Sequence, residues 1–278
     1  MGDVTPEESS GESVGRPREW MVHTSVGATA AFHAADPAPR RAAVFHEADR
    51  PTLVLGSSQR SASVDGRVAD ALGVDVVGRR SGGGGVLLLP GEFVWLDLVI
   101  PTGDPLWSDD VGRAMVWVGR VWAAALASLG IDAEVRTGPF LPSPWSAQVC
   151  WAGAGTGEVM TEASPGAAPA KLVGISQRRT RGWARFQSMC HLRWRPEVVA
   201  ALVAPPRPSP ADLAAIAAEV PADAPVVPPE GDGTPFEEPG GWRWWGLQEA
   251  LDACEAGIIA DSKTEIALAR LARRFGPG

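Results

Sequence analysis

The sequence predicts an α+β (α/β) protein, and three observations predict it. Residues 93–100 are a near-continuous β-prone run bounded by Pro90-Gly91 and Pro101, the composition of a strand buried on both faces. Residues 108–129 place Val111, Met115, Val118, Trp122, Leu126 and Leu129 on one helical face, an apolar stripe that must pack on something. Shorter β-prone runs surround both, separated by glycine and proline breaks, so strands and helices are interspersed rather than strictly alternating.

Taken in order, residues 19–35 carry apolar and small side chains at roughly helical spacing and read as a first helix, ended at Asp36-Pro37 because the residue before proline is pushed out of the α region. Residues 41–47 and 52–56 read as two strands around the turn-like Asp49-Arg50-Pro51. Residues 61–72 form a short helix stopped by Gly73, and strands at 74–77 and 86–89 enter and leave a glycine-rich loop. Ser108 is placed to cap the long helix, Asp109 and Asp110 favour its positive end, and Gly130 stops it. A strand at 133–138 leads into the proline-rich 139–145, then to an extended segment at 147–151. Strands at 158–161 and 171–178 flank a Pro/Gly/Ala-rich hairpin loop at 162–170, and 184–194 completes the sheet.

The organisation expected is a disordered polar leader at 1–18, a catalytic domain at 19–204, a proline-rich linker at 205–241 around a short helix at 211–220, and a C-terminal helical segment at 242–278, with helices at 244–256 and 263–275. With 278 residues, 45% of them hydrophobic, one substantial core can form. No apolar run reaches the ~20 residues that span a bilayer and no signal pattern opens the chain, so a cytoplasmic protein with no membrane partner is expected. A net charge of −8 argues against general nucleic-acid binding, which needs a basic face. Cys150, Cys190 and Cys254 lack metal-site spacing, as do the four scattered histidines, so no metal site is expected.

One stretch stands out chemically. Gly78-Arg79-Arg80-Ser81 leads into Gly82, Gly83, Gly84 and Gly85, a backbone without Cβ atoms against which a ligand can lie on peptide N–H groups, preceded by two guanidinium forks suited to phosphate or carboxylate. Far downstream, Lys171 sits in an apolar run although only it and Lys263 are lysines among 25 cationic residues. A compact ammonium that can point at one oxygen is a reason to keep lysine where arginine is the rule.

Together these stretches resemble a known family. The Arg-x-Ser-Gly-Gly-Gly segment at 79–84, a later Lys171-Leu172-Val173-Gly174-Ile175-Ser176-Gln177, and Leu55-Gly56-Ser57-Ser58-Gln59 are similar to motifs of the lipoate-protein ligases and octanoyltransferases, relatives of the biotin-protein ligases. The resemblance runs from about residue 51 to 195. It implies a mixed, largely antiparallel sheet flanked by helices, an acyl tunnel, and an activated carboxyl between the glycine loop and Lys171. Arg79, Ser81, Gly82, Gly83, Gly84, Gly174 and Gln177 would bind the acyl or adenylate group. Gly78 stands where the family has the first arginine, Gly85 where it has alanine, and Leu87-Leu88 where it has a histidine. The Gly-Arg-Gly-Arg loop of the biotin branch is absent.

Both branches that fit make an amide between an acyl group, octanoyl or lipoyl, and a lysine of a lipoyl carrier domain, such as that of a 2-oxoacid dehydrogenase or a glycine cleavage protein. A ligase activates the acid with ATP and Mg²⁺; a transferase takes octanoate from acyl carrier protein through a cysteine thioester and needs no cofactor. Cys150, followed by the aromatic Trp151, resembles the Cys-aromatic pair of the transferases and marks the nucleophile, with Lys171 steadying the acyl carbonyl. Cys190 beside His191 is the weaker alternative, since adjacent strand residues face opposite ways. Gly84 points instead to a ligase, because transferases with the cysteine often carry arginine there. The absence of a large accessory domain favours the transferase, and the altered positions raise a third reading, a non-catalytic acyl-binding relative. The basic run Arg178-Arg179-Thr180-Arg181 offers a docking surface for an acidic carrier domain.

Overall fold

The computed structural model describes residues 20–222 except 164, 165 and 167. The leader, the C-terminal helical segment and residues 223–241 of the proline-rich stretch expected from sequence lie outside these residues.

In chain order the elements are β1 (Met21–Gly27), α1 (Thr29–Ala34), β2 (Ala42–Ala48), β3 (Thr52–Leu55), α2 (Gly66–Leu72), β4 (Asp75–Gly78), β5 (Val86–Leu88), β6 (Phe93–Pro101), α3 (Val111–Ala127), β7 (Ala133–Val135), β8 (Val159–Thr161), β9 (Lys171–Arg179), β10 (Trp183–His191), α4 (Pro196–Leu202) and α5 (Pro210–Ala214). Seven strands form one sheet in the order β1-β2-β6-β10-β9-β8-β7, and three form a second in the order β4-β3-β5. Among the described residues, only β1–β2 and β3–β4 of the named strands pair in parallel; the other pairs are antiparallel. The sheet is therefore mixed and largely antiparallel.

The near-continuous apolar run of β6 is central because both its faces are covered. Val94, Leu96, Leu98 and Ile100 pack with Phe186 and Cys190 of β10 against Val118, Trp122 and Leu126 of α3. Val118 and Leu126 are almost fully buried, and side chains of this size each contribute about 1.5–3 kcal/mol. Trp122 also donates its indole N–H to Ser188 Oγ at 2.8 Å, pinning the helix to the sheet. On the opposite face Phe93, Trp95 and Met189 meet Leu53, Val54, Leu55, Leu87 and Leu88 of the smaller sheet, together with α2, α4 and α5. The site lies between these two sheets.

Three local expectations are corrected. Residues 19–35 are not one helix: Val22, Thr24 and Val26 are β-branched, and 21–27 pairs along β2, leaving only the one-and-a-half turns of α1. Asp110, not Ser108, caps α3, accepting from the N–H of Arg113, so Val111 starts the helix on its exposed side. The helix at 211–220 ends at Ala214; thereafter the chain pairs with the main sheet, Lys171 donating to the Ile216 carbonyl and Ala218 to the Lys171 carbonyl. Residues 205–220 are thus part of the domain rather than a linker, and Leu213 and Val220 are buried in its cores.

Candidate functional site

The glycine loop is built by packing against the cysteine segment. Gly85 donates to the Gln148 carbonyl at 2.7 Å and accepts from Cys150 N–H at 3.0 Å, a parallel bridge outside the named strands. At Gly84 a Cβ would stand 2.6 Å from the Val149 carbonyl carbon and 2.7 Å from Cys150 N. Backbone cannot yield there, so only glycine lets the two segments meet. Among the described residues, the N–H groups of Gly82, Gly83 and Gly84 donate to no protein acceptor, so three consecutive peptide donors remain available.

Arg79 does not extend a free fork. It is buried, and its guanidinium donates to the carbonyls of Gly82 (2.8 Å) and Gly84 (2.9 Å) and, at 3.4 Å, of Val54, bracing the loop from within. Arg80 points outward to Asp36 Oδ1 at 2.9 Å, an oxygen that also accepts from Arg178 at 2.7 Å. Ser81 donates to Ser176 Oγ at 3.1 Å, tying the loop to β9.

Between the sheets lies a narrow, partly open cavity. Cys150, Arg79 and Gly174 line it, together with Val54, Trp95, Trp151, Met189, His33 and Gln187. Trp151 closes one side by lying on Gly174, where a Cβ would come within 2.9 Å of the indole. The wall is mostly apolar, with a thiol and a few polar groups converging on it, the make-up of a pocket for a small amphiphilic ligand.

Lys171 stands one layer behind this wall. Its ammonium is 1% exposed, donates to the Cys150 carbonyl at 2.9 Å, and pairs with Glu158 Oε2 at 2.7 Å. Glu158 is held in turn by the N–H of Gly155 at 2.6 Å and, less closely, of Ile175 at 3.4 Å. Glu158 went unnoticed in the sequence, although a carboxylate beside the buried Val159 needs a cation, and the one lysine of the neighbouring strand supplies it. Gln177, expected at the site, is turned away. It pairs with Phe186, whose ring meets Trp117 of α3, while neighbouring Ser176 pairs with Gln187 on the cavity side. The Gln177 amide is buried there without a hydrogen-bond partner among the described residues.

The alternative thiol is shut away from solvent. Cys190 is fully buried among the residues packed on α3, and burial pushes its pKa up to about 12. His191 lies on the other face between Trp151 and Trp194, and burial lowers its pKa to about 3. The basic run is partly committed: Arg178 also lies over Trp183, and Arg179 donates to the carbonyls of Ser108 and Asp109 while covering Trp107.

Two further residues at the cavity gave no sequence signal. His33 of α1 stacks on Trp95 with centroids 5.0 Å apart, and Gln187 Nε2 lies 3.2 Å from its Nδ1. Beneath them Asp97 accepts from Trp95 (2.7 Å) and Arg185 (2.6 Å) and bonds His46 at 2.9 Å; burial opposes its charge, but His46 and Arg185 hold its pKa below the ordinary carboxylate value. Among the described residues no group of three or more His, Cys, Asp or Glu side chains is arranged to hold a metal ion, and no helix is long and apolar enough to cross a membrane.

No curated protein sequence matches the chain. Solved structures share its fold at low identity: a Thermoplasma acidophilum lipoate protein ligase structure with bound lipoic acid (14% identity, TM-score 0.52, 92% of this chain and 95% of that one); a bipartite lipoate protein ligase with its E2 lipoyl domain from the same organism (14%, 0.53, 93% and 92%); and a lipoate-protein ligase A bound with ATP (15%, 0.53, 92% and 94%). Residues 29–214, two thirds of the chain, match the lipoyl protein ligase A/B catalytic domain. The chain therefore belongs to that family, and it is an acyltransferase or ligase of protein lipoylation.

Proposed function

We propose that the protein is an octanoyltransferase, moving octanoate from acyl carrier protein to a lysine of a lipoyl carrier domain through a Cys150 thioester. The observation that carries this is the position of the thiol: Cys150 lines the mostly apolar cavity, and the glycine loop passes close to its sulfur, a Cβ built on Gly83 falling 3.7 Å from it. In the first step the Cys150 sulfur, as thiolate, attacks the thioester carbonyl; its S–C bond forms, the bond to the carrier thiol breaks, and the proton ends on the departing thiol. The glycine N–H groups take the oxyanion. In the second step the neutral amine of the acceptor lysine attacks the Cys150 thioester carbonyl; the N–C bond forms, the S–C bond breaks, and the amine proton ends on the Cys150 sulfur.

Lys171 has a different place in this scheme from the one the resemblance implies. It acts on Cys150 through the main chain, holding the carbonyl of the nucleophile's own residue. Gly84 likewise needs no nucleotide to explain it, since the Val149–Cys150 backbone excludes any side chain.

A ligase reading has one observation in its favour. An open groove of about 970 Å³ on the other side of Arg79 is lined by Gly56, Ser57, Gln59, Gly78 and Arg80. The Arg80 guanidinium and the Ser57 and Ser61 hydroxyls on this groove suit nucleotide phosphates, and a relative of this fold is described with ATP. ATP bound there would supply the adenylate that activates the acid, with Mg²⁺ carried on its phosphates. The partner in either reading is a lipoyl domain, as in the bipartite relative. The deciding experiment follows acylation of a purified lipoyl domain by intact mass, with octanoyl acyl carrier protein alone or with octanoate, ATP and Mg²⁺. Product from the carrier protein without ATP supports the transferase; product only with ATP overturns it.

A further inference from the structure

The cavity has two distinguishable ends. Cys150 and the glycine loop stand over β9: Trp151 lies on Gly174, and Ser81 bonds Ser176. The opposite end is over β6, where Trp95 forms the floor and His33 stacks on it. Between them runs β10, with Met189 opposite both Gly174 and Trp95 in the register. Two strand spacings separate β9 from β6, about 10 Å, a span that an acyl chain of medium length can cross.

The far end is walled by His33, on an α1 that is held in place. Arg185, anchored on Asp97 at 2.6 Å, donates to the carbonyls of Phe32 (2.9 Å), just before His33 on α1, and of Ala35 (3.0 Å), which caps that helix. With Gln187 donating to Nδ1, the ring proton sits on Nε2. Burial lowers the His33 pKa to about 4, so at neutral pH the ring carries no charge and can face a chain terminus.

Resting on the acyl-cavity reading above, we propose that His33 is the specificity-determining residue for acyl-chain length: its imidazole, stacked on Trp95 and held by Gln187, is the wall that the chain terminus meets. Octanoyl fills the space between Cys150 and this ring. Longer chains are refused because the ring cannot retreat from α1 while Arg185 holds the Phe32 and Ala35 carbonyls.

The test uses the full chain and free saturated fatty acids of six, eight, ten and twelve carbons, with dissociation constants from calorimetry. In the wild type octanoate should bind most tightly. His33→Ala should move the optimum to ten or twelve carbons, changing the decanoate-to-octanoate affinity ratio at least tenfold. His33→Phe keeps the stack but adds bulk, and should move the optimum toward six carbons; it serves also if the alanine variant fails to fold. An unchanged ranking in a folded variant overturns the proposal while leaving the acyl cavity standing. If the wild type binds none of the acids, the acyl cavity and the proposal fall together.

Discussion

The Lys171 ammonium donates to the main-chain carbonyl of Cys150 at 2.9 Å while pairing with Glu158 at 2.7 Å, so the one lysine of the domain braces the residue that carries the thiol. The pair is 1% and 6% exposed, and removing one partner would strand the other's charge in the interior. Lys171→Met and Glu158→Gln should each destabilise by about 3–5 kcal/mol, while the double substitution should cost clearly less than the sum of the two. Urea unfolding of the three variants checks this; additive losses would show that the pair is uncoupled.

Lys171→Arg tests the shape of the cation. A guanidinium is planar and larger than the ammonium it replaces, and the chamber bounded by Glu158, the Cys150 carbonyl and the Trp151 ring is closed to solvent. Acyl transfer should fall at least tenfold even where the variant folds. Wild-type turnover in Lys171→Arg would remove the need for a point charge.

Gly84→Ala should be more damaging than its size suggests. The added methyl meets Val149 and Cys150 backbone at 2.6–2.8 Å, and overpacking of this kind costs about 1–3 kcal/mol. Because the displaced segment carries Cys150, transfer activity should be lost along with stability. Gly82→Ala, where a Cβ meets nothing within 4 Å, is the control and should keep the fold.

Acidification should destabilise the protein well above the carboxylate range. His33 and His191 have folded pKa values near 4 and 3 against an ordinary 6.5, because burial disfavours their charged forms. The unfolded chain therefore binds more protons as pH falls below about 6.5, and stability drops until the folded-state values are reached. Each histidine contributes a loss of about 2 kcal/mol by pH 5. Urea unfolding from pH 8 to pH 5 should show this slope, and His191→Phe should reduce it by one proton's worth. A flat profile would contradict the burial of both rings.

The two thiols of the described domain should differ sharply. Cys150 is half-buried at the cavity wall, whereas Cys190 is fully buried with its pKa pushed up to about 12. Iodoacetamide at pH 8 should alkylate Cys150 and spare Cys190, as peptide mapping would show.

Much of the sheet was legible because its signals are local. The apolar run of β6, the Gly73 stop after α2 and the stripe of α3 each follow from neighbours in sequence. The opening segment was not, since small residues at 19–35 satisfy a helical pattern, and only pairing with β2 makes them a strand. At the candidate site, the glycine loop and Lys171 stand out by residue type, whereas Cys150 stands out only through the resemblance of Cys150-Trp151 to a Cys-aromatic pair. His33 and Gln187 do not stand out, because they come from two elements that the topology alone brings to one cavity. Gln177 shows the converse: strand alternation from Gly174 already puts it on the opposite face, a geometric constraint that motif matching passes over.

The most direct test of the account is the intact mass of the enzyme after brief incubation with octanoyl acyl carrier protein and no acceptor. A hydroxylamine-labile octanoyl adduct on the wild type, absent from a folded Cys150→Ala variant, is the result expected. An unmodified wild-type enzyme that nevertheless octanoylates a lipoyl domain, or a Cys150→Ala variant that does so at the wild-type rate, would contradict the thioester mechanism.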